Sequence, residues 1–423
     1  MPTLAYVHSE LKESATLLEL AFELDESGSS SDESLADLLI KAACEPLCRR
    51  RLQDIGPERL SLERLRRESH ERGFTEDDIS SHVYTQYMFR LCDLPSVVKA
   101  LDPPPGFRTP CGVFSGEEGV LLLLRRFRTT DSLDSLTRET GRSTPAISEA
   151  VRFMCEHVEA RFPWLLDERS LSSWAPHFEQ FARAFRRKGL PISNLIGYID
   201  GKLWPICKPG VYQRVLYSGH KRVHGVKTQG IQLPNGIQPY PYGPCNGSEH
   251  DSTILRDSNV LRVMHDVCRG GQYECPLAPG GLGRDYVLFG DSAYPISFFL
   301  WRMYKGVMSR VQRWFNADMG TSRVAAEWAF GKIVNLWPFL DYRKKQKVLI
   351  SPVGLYLRVG NVLTNIHTCT YHGIVNASLD MDPPALSEYM QGGPYTVLLC
   401  VIDVLCVYTR CIMCNHYMYM YRI

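Results

Sequence analysis

Two apolar runs, each closing on an aspartate, constrain this chain more than any other feature. Leu195-Ile-Gly-Tyr-Ile-Asp200-Gly201 is a short hydrophobic stretch that stops at a carboxylate, and Tyr286-Val-Leu-Phe-Gly-Asp291-Ser292 repeats the design downstream. An apolar run this short, with no polar alternation, reads as a buried strand. An aspartate at the end of such a strand sits at the rim of a sheet, where open α/β folds carry their chemistry. A third acid, Glu327, lies in Arg323-Val-Ala-Ala-Glu327-Trp-Ala-Phe-Gly331-Lys332, a stretch of helical character.

The segments between these acids fix the order of elements. Val226–Leu233 and Gln238–Tyr242 flank Pro234-Asn235-Gly236, and Asn-Gly between two such runs predicts a hairpin. A helix is predicted from Thr253 to about Cys268, led in by His250-Asp251, and a glycine- and proline-rich loop follows over 270–284. The predicted order is strand, strand, strand, helix, strand, then helices. With acids on the first and fourth strands and on a late helix, this is an α/β, ribonuclease-H-like arrangement, a mixed sheet flanked by helices.

Three carboxylates so placed suit the cutting of phosphodiesters. That reaction needs an activated water and a stabilised leaving oxygen, and two Mg²⁺ ions roughly 4 Å apart supply both. Hard divalent cations take carboxylate oxygens and tolerate water in the remaining positions. Asp200, Asp291 and Glu327 are therefore the catalytic and metal-ligating candidates. Asp251 is a rival ligand in place of Asp291. Each acid also has a plainer reading. Asp200-Gly201 suits a hairpin turn. Asp291 suits the N-cap of a helix after Pro295. Glu327 suits an exposed ion pair with Arg323, four residues back.

Other constellations carry less. His220 and His224 have the spacing of a zinc-binding helix face, but their surroundings do not look helical and supply no glutamate base. The Gly280-Gly281-Leu-Gly283 loop precedes a strand, whereas a phosphate-binding loop follows one. Basic residues gather near the candidate acids: Lys202, Lys208, Arg214, Lys221, Arg222 and Lys227 around the first strands, and Arg343-Lys-Lys-Gln-Lys347 after the glutamate helix. Trp204, Tyr212, Tyr217, Trp328 and Trp337 are interleaved with them. Basic side chains of this kind contact phosphates and give affinity without sequence information. For Trp328 and Trp337 the expectation is core packing.

The chain has 423 residues, 44% hydrophobic and 22% charged, with a formal net charge of +2. That is an ordinary globular composition, so local patches must decide the question of nucleic acid. Its 14 cysteines are scattered, and Met1 to Leu24 has neither a basic start nor a clean apolar core. Reduced thiols of an intracellular protein are expected. The expected divisions are an acidic flexible segment over 1–34, a helical region over 35–110, a helix-turn-helix-like domain over 111–190, the nuclease domain over 191–375 and a tail over 376–423. One amphipathic helix is expected around Leu11, Leu17, Leu18 and Leu20, ahead of a serine-rich acidic stretch. Arg49-Arg50-Arg51 and Arg64-Leu-Arg66-Arg67 suit solvated helix faces, and Pro103-Pro104-Pro105 marks an elbow.

The all-α region ahead of the nuclease has its own pattern. Glu117–Arg126 is an apolar helix with a basic end. Leu133 and Leu136 lie three apart before Gly141, a helix stop. After the turn Gly141-Arg142-Ser143, Thr144 suits an N-cap and Pro145 the first helical position. Helix, glycine turn, capped helix is the helix-turn-helix pattern; a plain α-hairpin is the alternative. The tail from Pro394 is apolar and cysteine-rich, but Asp403 and Arg410 make a poor membrane span of it. Cys411, Cys414 and His416 have metal-like spacing without a second pair.

At the acid-bearing segments the sequence resembles the PIF/Harbinger transposases. The resemblance rests on Ile199-Asp200-Gly201, on Gly247 to Leu255 with its His-Asp-Ser core, and on Gly290-Asp291-Ser292-Ala293-Tyr294-Pro295. It continues from Asn316 through Ser322-Arg323 to Glu327, Phe330, Gly331 and Lys332. It covers about 190–370. It implies a nuclease of ribonuclease-H fold with the triad Asp200, Asp291 and Glu327, using Mg²⁺ or Mn²⁺ to cut DNA at transposon ends and transfer the strand. From the residues themselves, the expected DNA contacts are Arg142, Ser143 and Thr144 in the helix-turn-helix-like region, and Lys202, Lys221, Arg222, Arg323 and Lys332 around the site. A Myb-like DNA-binding accessory protein, a nuclear location and homo-oligomers belong to the expectation from the resemblance; a membrane does not. The alternative is a domesticated, non-catalytic DNA-binding or chromatin protein derived from such an enzyme.

Overall fold

The computed structural model describes residues 59–392, in two compact units divided between His157 and Val158. The expected N-terminal helix, the acidic serine-rich stretch, Arg49–Arg51 and the cysteine-rich tail with Cys411, Cys414 and His416 lie outside the described residues. No helix among the described residues is long and apolar enough to cross a membrane. The described cysteines are free thiols.

The first unit is mainly helical. Helices Leu62–Glu71, Glu76–Tyr87 and Leu94–Leu101 precede the proline run. Arg64 and Arg67 pair with Glu68 and Glu71 on their own helix. Where an elbow is expected, a small hairpin forms instead, β1 (Gly106–Thr109) against β2 (Gly112–Ser115). Proline lacks the amide a helix needs, and alternation buries Phe107 and Phe114, whose rings stack at 5.3 Å. The helix Gly116–Arg128 follows, capped by the Ser115 hydroxyl, with Val120 to Leu124 and Phe127 all buried. The next helix, Leu133–Thr140, stops at Gly141, which takes a φ of 70° that glycine adopts freely. The helix Thr144–Arg161 comes after the turn. Its cap sits one residue earlier than the sequence suggests. Ser143, not Thr144, accepts from the Ala146 amide through its hydroxyl at 3.4 Å, and its carbonyl accepts from Ile147.

The second unit is built on a mixed sheet in the order β4-β5-β3-β7-β8, with β6 paired to β5. The strands are β3 (Leu195–Pro205), β4 (Tyr217–Ser218), β5 (Val223–Gln232), β6 (Tyr242–Asn246), β7 (Val287–Gly290) and β8 (Leu300–Arg302). β3 runs antiparallel to β5 and parallel to β7, and β7 is parallel to β8. Helices flank this curled sheet, as a ribonuclease-H-like domain requires. Phe185, Leu195, Tyr198, Phe289, Met319 and Ala325 share one core beneath the long helix Arg310–Leu336.

Three expectations change in detail. First, β3 does not end at Asp200. β5 pairs with it from Tyr198 to Pro205, so the polar half of the strand is held by its antiparallel neighbour. Second, the chain turns at Asn235-Gly236, but its return does not rejoin the sheet until Tyr242. The Gln238 amide and carbonyl are bound by the side chains of Asn365 and Asn361 instead, from the buried helix Val353–Tyr371. Third, the expected helix over Thr253–Cys268 breaks at Asn259, with a φ of 55°, into Asp251–Asp257 and Val260–Arg269.

Candidate active site

Register brings the two aspartates together. In the parallel pair, Ile199 stands opposite Gly290, so Asp200 and Asp291 are the next residues on neighbouring chains. β7 ends there and β3 continues, which leaves Asp200 at the point where the parallel ladder stops. No helix follows Pro295; the chain turns into β8. Asp291 is therefore not a helix cap. Asp200 and Asp291 share one local device: the Oδ1 of each accepts the amide of the next residue, Gly201 at 2.9 Å and Ser292 in a shorter contact. The carboxylates are thereby oriented by their own backbone.

Two glycines make room beside them. A Cβ on Gly290 would lie 2.8 Å from the Tyr294 ring, and one on Gly201 would lie 3.1 Å from Asp251 Oδ1. Tyr294 is buried, and its hydroxyl accepts from Gln229 Nε2 at 3.3 Å. Burial, and then the charges of Asp251, Asp200 and Asp291, raise its pKa, so the phenol stays protonated. Asp251 opens its short helix and pairs with Lys227 Nζ at 3.1 Å. That ammonium also donates to the Glu249 carbonyl at 2.6 Å. Asp251 thus stands beside the site with its charge already matched.

Glu327 comes from the long helix. Gly230, opposite Asp200 in the β3–β5 ladder, lets that helix approach, since a Cβ there would meet the Phe330 ring at 3.0 Å. A hydroxyl contact between Ser322 and Tyr198 fixes the helix nearby. Arg323 then joins the two elements. Its Nη1 donates to Asp200 Oδ2 at 3.3 Å and its Nη2 to Glu327 Oε1 at 2.6 Å. The expected helical ion pair exists, and the same guanidinium reaches the strand acid. The Asp200 pKa is raised by burial; Arg323 opposes this, while Asp291 and Glu327 add to it. Both other acids therefore act electrostatically on Asp200.

An all-carboxylate donor set matches Mg²⁺ or Mn²⁺ in ligand type. Among the described residues, no three His, Cys, Asp or Glu side chains are arranged around a common point as they stand, and two of the three acids are held by Arg323. The fit lies in the chemistry of the donors and in their placement on adjoining elements.

The basic candidates divide sharply. Lys221 and Arg222 are exposed at the turn between β4 and β5, and Lys208 and Arg214 are exposed ahead of β4. Lys202 lies two residues beyond Asp200, 4.7 Å from the centroid of the Trp204 ring and 3.7 Å from Asp341. Lys332 is a correction. It turns inward, donating to Thr368 Oγ1 at 2.8 Å and to the His372 carbonyl at 3.0 Å, and burial brings its pKa down to about 8. It lines a pocket of about 440 Å³, with Glu327 and Trp328 also in the wall. Trp328 is 41% exposed, against the expected core position, whereas Trp337 is buried and donates to Thr364 Oγ1. Arg142, in the first unit, is also a correction. Its guanidinium is buried and bound to both oxygens of Glu118, so it has no face to offer a phosphate. Ser143 caps its helix, and the Thr144 hydroxyl meets Asp134 at 3.3 Å. His220 and His224 lie in the β4–β5 turn and on β5, not on a helix, and the His224 ring packs on Tyr217 at 5.2 Å.

Sequence reasoning gave no role to Tyr294, Gln229 or Gly230. The first lies within a quoted motif, but the register that brings all three to the acids is not visible in the sequence.

Residues 199–365 match the family model of the DDE superfamily endonucleases. The match begins at Ile199 on β3 and ends at Asn365 on the buried helix Val353–Tyr371, so it contains Asp200, Asp251, Asp291 and Glu327. These residues form a DDE superfamily endonuclease domain. No curated protein and no solved structure matches the chain.

Proposed function

We propose that the chain is a metal-dependent DNA endonuclease of the PIF/Harbinger transposase kind, with Asp200, Asp291 and Glu327 as its catalytic acids. One observation carries this reading: the two aspartates follow a matched pair on adjacent parallel strands, and Glu327 is tied to the first of them through Arg323. The endonuclease family match over the same residues supports it.

Asp200, Asp291 and Glu327 would hold Mg²⁺ or Mn²⁺, which when bound supplies an activated water and charge stabilisation at the leaving oxygen. The chain's own residues do the rest. The Gly201 and Ser292 amides orient the two aspartates. Tyr294 and Gln229 form a buried polar floor beside them. Lys202, Lys221 and Arg222 provide cations for the phosphate backbone. Transfer of the freed 3′-hydroxyl to a second DNA at the same acids is the further step of the proposal. With the PIF/Harbinger reading go a nuclear location, a Myb-like accessory protein and assembly of more than one copy on the DNA ends.

The test is nicking of labelled DNA in Mg²⁺ or Mn²⁺ by purified protein beside Glu327→Gln. That change keeps size and hydrogen bonding but removes the charge that holds a metal. Wild-type nicking should fall by about 10³-fold or more in the variant, since a bound ion is worth several kcal/mol at the transition state. Equal nicking by both proteins would remove Glu327 from the site.

A second reading is a domesticated DNA-binding protein. The observation that favours it is that Arg323 pairs with two of the three acids, Asp200 and Glu327. Retained DNA binding by Asp200→Asn, with no metal-dependent nicking by any version, would select it.

A further inference from the structure

One arginine is shared by two of the three acids, and the oxygens it takes are informative. Asp200 Oδ1 already accepts the Gly201 amide, and Arg323 holds the other oxygen, Oδ2. On Glu327 it holds Oε1. The Arg323 side chain is 17% exposed and that of Asp200 19%, so water screens their attraction weakly. Glu327, at 55%, is solvated without help. The need for a counter-charge therefore lies with Asp200, a carboxylate withdrawn from water and facing two other acids.

A divalent cation has the same claim on these oxygens. It would neutralise the same buried charge, and it would repel a guanidinium left on the same carboxylate oxygens. We propose that Arg323 is an internal counter-ion that occupies the Asp200–Glu327 pair in the metal-free protein and must leave both acids before a divalent cation is taken up there. This rests on the metal-nuclease reading above. Only molecules with the guanidinium withdrawn are competent, so the apparent dissociation constant for metal is raised by the reciprocal of that fraction. Arg323 keeps the acids compatible with one another in the resting fold, and weaker metal binding is the consequence.

Direct Mn²⁺ binding to the full chain without DNA, followed by electron paramagnetic resonance or calorimetry, tests this apart from activity. The proteins are wild type, Arg323→Gln, Arg323→Ala and, as a control, Arg313→Gln. Arg313 lies on the same helix and donates to the Met308 carbonyl at 3.3 Å. Melting curves establish that each is folded, and glutamine keeps the helix propensity of arginine. Both Arg323 variants should bind Mn²⁺ about tenfold tighter or more, the gain expected if the withdrawn state is a tenth or less of the population. Arg313→Gln should match wild type. Millimolar guanidinium should weaken Mn²⁺ binding to Arg323→Ala, while sodium chloride at equal ionic strength should not. Affinity that is unchanged or lower in the Arg323 variants overturns the proposal, as does an equal gain in Arg313→Gln, which would be a general charge effect. Absence of Mn²⁺ binding in every protein overturns the metal-nuclease reading itself, a result distinct from equal binding by all.

Discussion

Arg142 and Arg323 present the same guanidinium to carboxylates in different surroundings. Arg142 gives Nε and Nη2 to the two oxygens of Glu118 at 2.7 Å each, and Nη2 also reaches the Val113 carbonyl. The Phe114 ring lies against it at 4.3 Å. Both side chains are closed off, at 6% and 0% exposure. Arg323 instead splits its donors between two acids on different elements, and Glu327 stays open to solvent. A sealed bidentate pair has one partner for each donor and no route to exchange it. A guanidinium divided between two acids at the edge of a site can be replaced by another cation. Exposure and the sharing of donors, not the residue types, separate a structural ion pair from an occupied binding site.

Loss of the sealed partner has the largest expected effect. Glu118→Ala leaves a buried, unpaired guanidinium and should cost about 3–5 kcal/mol, read from the urea unfolding transition. A loss below about 1 kcal/mol would put the Arg142 pair in the class of exposed bridges and void the contrast.

Lys332 supplies an intermediate case, a half-buried cation held by neutral oxygens. Its pKa is brought to about 8 by burial, against about 10.4 for an ordinary lysine. Site-specific titration by nuclear magnetic resonance should find that midpoint. Unfolding frees the amine to hold its proton, so this group makes stability rise with pH between the two values. A midpoint near 10 would mean that the pocket is wet and that burial does not govern this side chain.

The smallest effect belongs to Asp200. Its folded pKa is raised by burial in spite of Arg323. Stability linked to such a carboxylate is fully present below the unfolded value, about 3.9, and is lost as pH rises through the folded value. Asp200→Asn should therefore melt slightly above wild type near neutral pH, with the gap closing as pH falls towards 4. A lower melting point at neutral pH would show that the pair with Arg323 outweighs the burial of the charge.

Much of the nuclease domain was legible in the sequence because its signals are local. Apolar runs made β3 and β7, Asn235-Gly236 made a turn, and Gly141 stopped a helix. Asp200, Asp291 and Glu327 stood out because each falls at the end of a strand-like run or on a helical stretch. The misses are non-local. Gln238 leaves the sheet because Asn361 and Asn365 reach it from a helix more than a hundred residues away. β3 outruns its apolar segment because β5 supplies partners for polar residues. Lys332 and Arg142 look like surface cations in a charged stretch, and only packing turns them inward.

Which residue types this protein has for its chemistry, and in what order, is settled along the chain. Periodicity and turn residues act over a few positions, so they place two aspartates after strands and a glutamate on a helix. Tertiary structure alone decided that Ile199 and Gly290 stand in register, that Gly230 admits the long helix over Asp200, and that Arg323 spans from helix to strand. The reason is physical. Register and burial depend on which surfaces exclude water together, and that is a property of the assembled sheet and helices rather than of any one stretch of chain.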